Sequence, residues 1–357
     1  MPIVHVGKVL VSGTNGYVAV WVVRKLLESG FSVRGTVRSA DKGQHLTELF
    51  KSYGDKFELI VVPDIAAEGA FDEAVKGVDA IAHTASPFHF NAHDPAELSV
   101  PAIQGTVGIL ESARKYGQSV KRVVITGSTA SIIRPKTEQL DEFDWNEPAV
   151  KAVEERGSEA TNAEKYQSSK TLAERAAWKF LDDHIKELGW DLAVMNPPFV
   201  LGPPIHELSS SPAAAALNTS TKVMLDVMTI PDAAARLNNG NFVDVRDLGD
   251  AHVRAFKSEL PAYVPMDAVN KEEGKNVNRF IIGGFNFTWQ DWLDALPPTS
   301  KAQKGTPGSG TRKLDYSNAK AKKVLGLGAE GHAYIPFVQT ARDTLADFEK
   351  RGWVESS

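Results

Sequence analysis

The segment Val9-Leu10-Val11-Ser12-Gly13-Thr14-Asn15-Gly16-Tyr17-Val18-Ala19 constrains this chain more than any other: a short apolar strand breaks into a Gly-x-x-Gly-x-x-Ala turn and passes directly into helical spacing. Glycine is needed where a chain turns tightly and where its backbone approaches a ligand, and Ala19 lets the helix sit close to the strand. The turn brings Gly13, Thr14, Asn15, Gly16, Tyr17 and Val18 to a helix N-terminus, where free N–H groups bind a pyrophosphate. Its spacing is one glycine tighter than the Gly-x-Gly-x-x-Gly fingerprint. A second Gly-x-x-Gly, at Gly328 and Gly331, lacks the strand and helix around it. A plain βα turn is the alternative; the context favours a nucleotide.

Behind this unit, short apolar runs alternate with helix-length amphipathic segments. Lys8 to Ser12, Phe31 to Val37, Phe57 to Val62, Ala80 to His83, Arg122 to Thr126 and Asp191 to Asn196 read as strands. Tyr17 to Ser29, Asp41 to Tyr53, Pro101 to Tyr116 and Asn162 to Leu188 read as helices. That order predicts an α/β fold, a Rossmann-type doubly wound parallel sheet with right-handed crossovers. The rhythm breaks after Pro203. We expect a dinucleotide-binding domain over 1–203 and a smaller, mainly C-terminal α/β cap over 204–240 and 258–357. One strand–helix unit, Asn241 to Lys257, is expected to return to the main sheet. In the cap, Ala213 to Met228 and Asn318 to Leu325 read as helices, the latter closed by Gly326.

A net charge of -5 argues against a nucleic-acid or membrane-surface partner, which would want a basic field. With no cysteine, disulfides, thiolate metal sites and a Cys nucleophile are excluded. No apolar run approaches the ~18 residues of a membrane span. Met1 to Val11 reads as the approach to a first strand and not as a targeting peptide, so we expect a cytoplasmic protein. A monomer is expected, with a dimer as the alternative.

An NAD-binding fold ends its second strand with an acid for the ribose 2′-hydroxyl. Here the strand ends Gly35-Thr36-Val37-Arg38-Ser39, with Lys42 one helical turn onward. Arg38 and Lys42 suit a 2′-phosphate and so favour NADPH/NADP+, against the plainer reading of solvated basic residues. Asp64-Ile65 follows the third strand, where a carboxylate can meet the adenine amine; a helix N-cap is the competing role for Asp64.

Tyr166 and Lys170 share one face of a helical segment, so the ammonium can lower the phenol pKa and reach the nicotinamide ribose. Tyr316 and Lys320 repeat the spacing in the cap, and we read that copy as a decoy. The Tyr166 copy follows a strand ending Gly127-Ser128-Thr129-Ala130-Ser131, which offers Ser128 as a hydroxyl for a carbonyl oxygen.

These motifs resemble the extended short-chain dehydrogenase/reductase superfamily. Within it the chain is similar to fungal NADPH-dependent methylglyoxal and aldehyde reductases, relatives of dihydroflavonol and cinnamoyl-CoA reductases. The likeness runs through Pro63-Asp64-Ile65, His83-Thr84-Ala85-Ser86-Pro87-Phe88, Asn196-Pro197-Pro198-Phe199-Val200-Leu201-Gly202-Pro203, Leu217-Asn218-Thr219-Ser220 and Phe242-Val243-Asp244-Val245-Arg246-Asp247. It implies hydride transfer to a small-molecule carbonyl. Tyr166 would give the proton, Ser128 would polarise the oxygen, and Lys170 would hold the ribose. Thr84, Ala85 and Ser86 would line the cofactor channel, Pro197, Pro198, Phe199 and Val200 would hold the nicotinamide amide, and Ser220 would approach the diphosphate. Phe88, Phe90, Ser128 and Thr129 would shape the substrate pocket. One departure is Gly127, where relatives usually carry a second serine; Thr129 and Ser131 therefore stay open as alternatives to Ser128. The asparagine that some members add to the catalytic set has no evident counterpart.

His89, His93 and Asp94, between Pro87 and Pro95, read as a loop near the substrate mouth and not as a metal pair, so no metal is expected. Asp244, Arg246 and Asp247 read as a structural ion-pair network, and Trp289 with Trp292 as cap packing. Two other functions compete: a sugar-nucleotide epimerase or dehydratase on the same fold, disfavoured by Arg38, and a non-catalytic NADP-binding sensor, disfavoured by the intact Tyr166 and Lys170.

Overall fold

The computed structural model describes residues 3–86, 92–135, 138–208, 217–237, 240–310 and 315–356. Strands β1 (Lys8–Val11), β2 (Ser32–Val37), β3 (Phe57–Val61), β4 (Ala80–His83), β5 (Arg122–Thr126), β6 (Asp191–Asn196) and β9 (Arg279–Ile281) form one sheet in the order β3-β2-β1-β4-β5-β6-β9. Every pairing in it is parallel. A smaller sheet holds β10 (Phe285–Phe287), β8 (Gly240–Asp244) and β7 (Phe199–Leu201). The helices are α1 (Tyr17–Glu28), α2 (Gln44–Leu49), α3 (Ala96–Tyr116), α4 (Glu147–Arg156), α5 (Asn162–His184), α6 (Thr219–Thr229), α7 (Ala233–Arg236), α8 (Val245–Lys257), α9 (Trp289–Asp294), α10 (Ala319–Leu325) and α11 (Phe337–Lys350).

The central strands β1, β4, β5 and β6 are buried on both faces, which is why their interiors are apolar, while the edge strand β3 is only partly covered. Val9, Val11, Ala80, Ala82, Val124, Ala193 and Met195 face one core, while Leu10, Ile81, Val123, Ile125, Leu192 and Val194 face the other. The strand order reverses between β1 and β4, and the crevice at their carboxyl ends is where such sheets bind ligands. At the opposite edge, Arg122 of β5 and Asp191 of β6 form a buried ion pair, Nε to Oδ1 2.6 Å and Nη2 to Oδ2 2.7 Å.

The unit expected to return to the main sheet does so only in part. Strand β8 pairs with β7 and β10 in the small sheet, while β9 takes the place beside β6. The reason lies in its side chains: Phe242 packs against Phe285, Phe287 and Phe337, and Asn241 bonds the Gly284 carbonyl. Helix α8 does return, lying so close to α1 that a Cβ at Gly249 would meet the Trp21 carbonyl oxygen at 3.1 Å. The Asp244–Arg246 pair extends to Asp343 and Thr340, tying β8 and α8 to α11.

Helix boundaries differ from expectation where backbone chemistry intervenes. The 41–53 segment breaks into short turns on either side of α2, and just beyond it Gly54 adopts φ 55. Helix α3 starts at Ala96, carrying Pro101 within it. Helix α5 stops at His184, short of Leu188. Helix α6 covers Thr219–Thr229 of the predicted 213–228 segment; residues 209–216 lie outside the described ones. No helix among the described residues is long and apolar enough to cross a membrane.

Candidate active site

At the end of β1 the backbone turns through Gly13, whose φ of 65 is costly for any residue with a Cβ. A Cβ there would also meet the Ala85 Cβ at 3.0 Å, so β4 approaches the turn closely. The turn is anchored from β2: Gly13 N–H donates to Thr36 Oγ1 (3.0 Å) and Thr14 N–H to the Thr36 carbonyl (2.9 Å). Gly35 leaves room for Thr14, whose Oγ1 would lie 2.6 Å from an added Cβ. Helix α1 begins at Tyr17 with Gly16 as N-cap, no side-chain cap and no acid in its first turn. Asn15 and Val18 are half-buried beside it. The Tyr17 side chain is buried, its hydroxyl donating to the Gly202 carbonyl (2.8 Å). The donors and the glycine cradle fit a dinucleotide pyrophosphate.

Ser12 ties β1 to β4. Its Oγ accepts the N–H groups of Thr84 and Ala85, both at 3.0 Å, so its own proton goes to His83 Nδ1 at 2.9 Å. Thr84 Oγ1 donates to the Ser12 carbonyl. Burial holds His83 neutral, its pKa lowered to about 3, with the Lys170 charge adding to the effect. Arg38 and Lys42 are exposed just past β2. Asp64 Oδ1 accepts the Ala66 N–H at 2.9 Å in a turn and caps no helix, since 65–77 is a run of turns; Ile65 packs toward Gly105 of α3.

Helix α5 brings Tyr166 and Lys170 to the carboxyl edge. A capping box at Thr161 and Glu164 sets its start. Lys165 fixes its first turn to the Ala92 and His93 carbonyls. Lys170 Nζ donates to Ser86 Oγ at 2.7 Å and lies 5.7 Å from the Tyr166 ring centroid. The Tyr166 hydroxyl hydrogen-bonds Ser128. Burial pushes the phenol up to about 12, against a smaller lowering by that hydrogen bond. The expected lowering by Lys170 is therefore not the controlling effect: the ammonium sits over the ring face, and burial lowers its own pKa to about 8. At neutral pH the phenol keeps its proton and can donate it.

Ser128 is extended and caps the next turn, its Oγ accepting the Ala130 N–H at 3.1 Å. Thr129 N–H donates to the Pro197 carbonyl at 3.0 Å, joining this turn to the segment after β6. Pro198 and Val200 are half-buried, while Phe199 is exposed at the small sheet against Phe287 and Trp289. Ser220 lies in the first turn of α6. The glycine departure has a packing cause: a Cβ at Gly127 would meet Val194 Cγ1 at 2.8 Å. Phe88, His89 and Phe90 lie outside the described residues.

Two findings go beyond the sequence reading. Tyr316 is not remote: its hydroxyl hydrogen-bonds Thr129, next to Ser128, while Lys320 turns away to the Val277 carbonyl at 2.6 Å. Tyr316 precedes α10, so the two residues share no helical face. Ser131 and Asn196 also converge on the Ser128 carbonyl, at 2.8 Å and 3.1 Å. A serine among five small residues and an asparagine at a strand end gave no signal of that convergence.

Residues 9–264 match the model of the NAD dependent epimerase/dehydratase family. The chain is 36% identical over 335 residues to the ketoreductase azaE of Aspergillus niger, covering 90% of this chain and 92% of that protein. It is 34% identical over 335 residues to the NADPH-dependent methylglyoxal reductase GRE2 of Saccharomyces cerevisiae, covering 89% and 93%. The structure of Gre2 from Candida albicans in complex with NADPH superimposes with a TM-score of 0.80 at 30% identity, covering 98% of this chain and 99% of that one. The chain belongs to the NAD dependent epimerase/dehydratase family, the extended branch of the short-chain dehydrogenases/reductases.

Proposed function

We propose that the protein reduces the carbonyl of a small aldehyde, ketone or dicarbonyl to an alcohol with NADPH, using Ser128, Tyr166 and Lys170. The observation that carries this reading is the pairing of the protonated Tyr166 phenol with Ser128, beside a lysine fastened at the end of β4. Named relatives that are NADPH-dependent methylglyoxal reductases and a ketoreductase support the same chemistry.

NADPH, when bound, supplies a hydride to the carbonyl carbon. Gly13 to Val18 would receive its diphosphate, Arg38 and Lys42 its 2′-phosphate, and Lys170 its nicotinamide ribose. Asp64 and Ile65, Thr84 to Ser86, Pro197 to Val200 and Ser220 would complete the channel. As the C=O pair moves onto oxygen, Ser128 donates a hydrogen bond and the Tyr166 O–H transfers its proton there, giving the alcohol. The phenolate left behind is stabilised by the Lys170 charge and regains a proton from solvent. Thr129, Phe88 and Phe90 would border the substrate, with the small sheet of β7, β8 and β10 and the C-terminal helices forming the cap, while β9 belongs to the main sheet. We read the enzyme as a cytoplasmic monomer.

The test is NADPH oxidation by the purified protein against a panel of aldehydes, diketones and ketoesters, with the alcohol product identified. Stoichiometric alcohol formation with NADPH favoured over NADH is expected. Turnover of no carbonyl, or a clear preference for NADH, contradicts the reading.

A further inference from the structure

Glu174 and Arg279 form a buried ion pair that the proton-transfer chemistry does not use. Their side chains are 2% and 0% exposed, with Arg279 Nε 2.8 Å from Glu174 Oε1 and Nη2 3.1 Å from Oε2. The guanidinium stacks on Trp145 at 3.7 Å. Its Nη1 donates to the Glu142 and Asp144 carbonyls. A buried pair of this kind is a weak source of stability, because desolvation offsets most of the attraction. Its location points to a different use.

Tyr166, Lys170 and Glu174 follow one another at intervals of four on α5, so they line one face of that helix. The Glu174 carboxylate accepts one bond from the turn that carries Ser128 and one from the end of β6. Ser131 Oγ donates to Oε2 at 2.5 Å, and Asn196 Nδ2 donates there at 2.9 Å. The single Ser131 proton goes to the carboxylate, the shorter and charged acceptor. Asn196 Nδ2, also within 3.0 Å of Ser131 Oγ, lies 3.1 Å from the Ser128 carbonyl and ties it to the same cluster. Arg279 Nη2 closes the ring by donating to Ser131 Oγ at 3.2 Å. Helix α5, the β5 turn and the end of β6 are thus fastened to one carboxylate.

We propose that Glu174, held by Arg279, is a positioning residue for carbonyl reduction: it clamps the Ser128–Ser131 turn onto the helix bearing Tyr166, so that the serine hydroxyl and the phenol meet at one substrate oxygen. The proposal rests on the assignment of Ser128 and Tyr166 made above. Displacing a reacting group by about 1 Å costs on the order of 100-fold in rate, so the clamp acts on kcat without touching the cofactor.

The buried Arg122–Asp191 pair is the control, because it joins the same two strands at their opposite ends. Glu174→Gln, Arg279→Lys, Asp191→Asn and Tyr166→Phe are compared for thermal midpoint, NADPH binding by fluorescence, and kcat and KM with methylglyoxal or another carbonyl that the wild type turns over. Glu174→Gln and Arg279→Lys should lower kcat by roughly 10- to 100-fold with unchanged NADPH affinity, while Asp191→Asn loses thermal stability but keeps kcat. If Glu174→Gln does not fold, Arg279→Lys decides by the same criterion. Wild-type kcat in the folded variants, an equal kcat loss in Asp191→Asn, or failure of both clamp variants to fold overturns the proposal. An active Tyr166→Phe enzyme instead removes the underlying assignment.

Discussion

The Lys170 ammonium lies 2.7 Å from the Ser86 hydroxyl, joining helix α5, which carries Tyr166, to the segment that leaves strand β4. Burial already lowers this lysine to about 8, so its charge depends on the partners it has. Because the protonated form is the one that holds ribose and steadies a phenolate, activity should fall as pH rises through about 8. Ser86→Ala removes a hydrogen bond to a charged group, worth about 1.5 kcal/mol or more, and should weaken NADPH binding about tenfold. It should also move the alkaline limb of the kcat/KM profile to lower pH. A profile identical to wild type would mean that Ser86 does not support the charge.

Arg38 stands exposed past β2, where an NAD-specific fold carries an acid. Arg38→Ala should raise the Kd for NADPH by about 10- to 100-fold, the loss expected for a charge-assisted bond to phosphate, and leave NADH binding unchanged. Titrating both dinucleotides into the variant checks this. Equal weakening of the two would show that Arg38 acts on something other than the 2′-phosphate.

Much of this site was legible because its signals are local. The Gly13–Gly16 turn and the Tyr166–Lys170 pair each sit within one turn of chain, where spacing alone fixes geometry. Strands β4, β5 and β6 were equally plain, since burial on both faces gives each an unbroken apolar run with polar residues only at its ends. The place of β8 was hidden: a five-residue strand with only Phe242 and Val243 apolar looks the same in either sheet, and its partners Phe285 and Phe287 lie more than forty residues away. Tyr316 and Arg279 were hidden for the same reason, since each reaches the site through tertiary packing that leaves no periodic trace.

Three buried histidines set the acid limit of the fold. Burial lowers His83 to about 3, and His206 and His252 to about 4 each. His252 shows the consequence: Nδ1 donates to the Leu248 carbonyl and Nε2 accepts from Thr126, leaving no use for a second proton. Their folded pKa values lie below the unfolded value of about 6.5, so the unfolded chain binds more protons as pH falls below it. The stabilisation is present above pH 6.5 and is lost as pH falls toward 4, by up to about 1.4 kcal/mol per pH unit for each group. Urea midpoints between pH 7 and 5 should decline, and His252→Asn should flatten the slope. A pH-independent midpoint would contradict this account.

Gly127 is shaped by Val194, whose Cγ1 would stand 2.8 Å from an added Cβ. Gly127→Ser should cost about 1–3 kcal/mol through overpacking, and Val194→Ala in the same chain should recover most of it. Thermal midpoints of the single and double variants measure the coupling. Additive losses would show that the crowding is relieved elsewhere.

The central claim is that the Tyr166 hydroxyl delivers the proton to a substrate oxygen polarised by Ser128. Its most direct test is single-turnover NADPH oxidation by Tyr166→Phe, with cofactor affinity measured on the same sample. The account predicts a rate lowered by about 100- to 10,000-fold with NADPH binding intact. A Tyr166→Phe enzyme that reduces its carbonyl at the wild-type rate would contradict it.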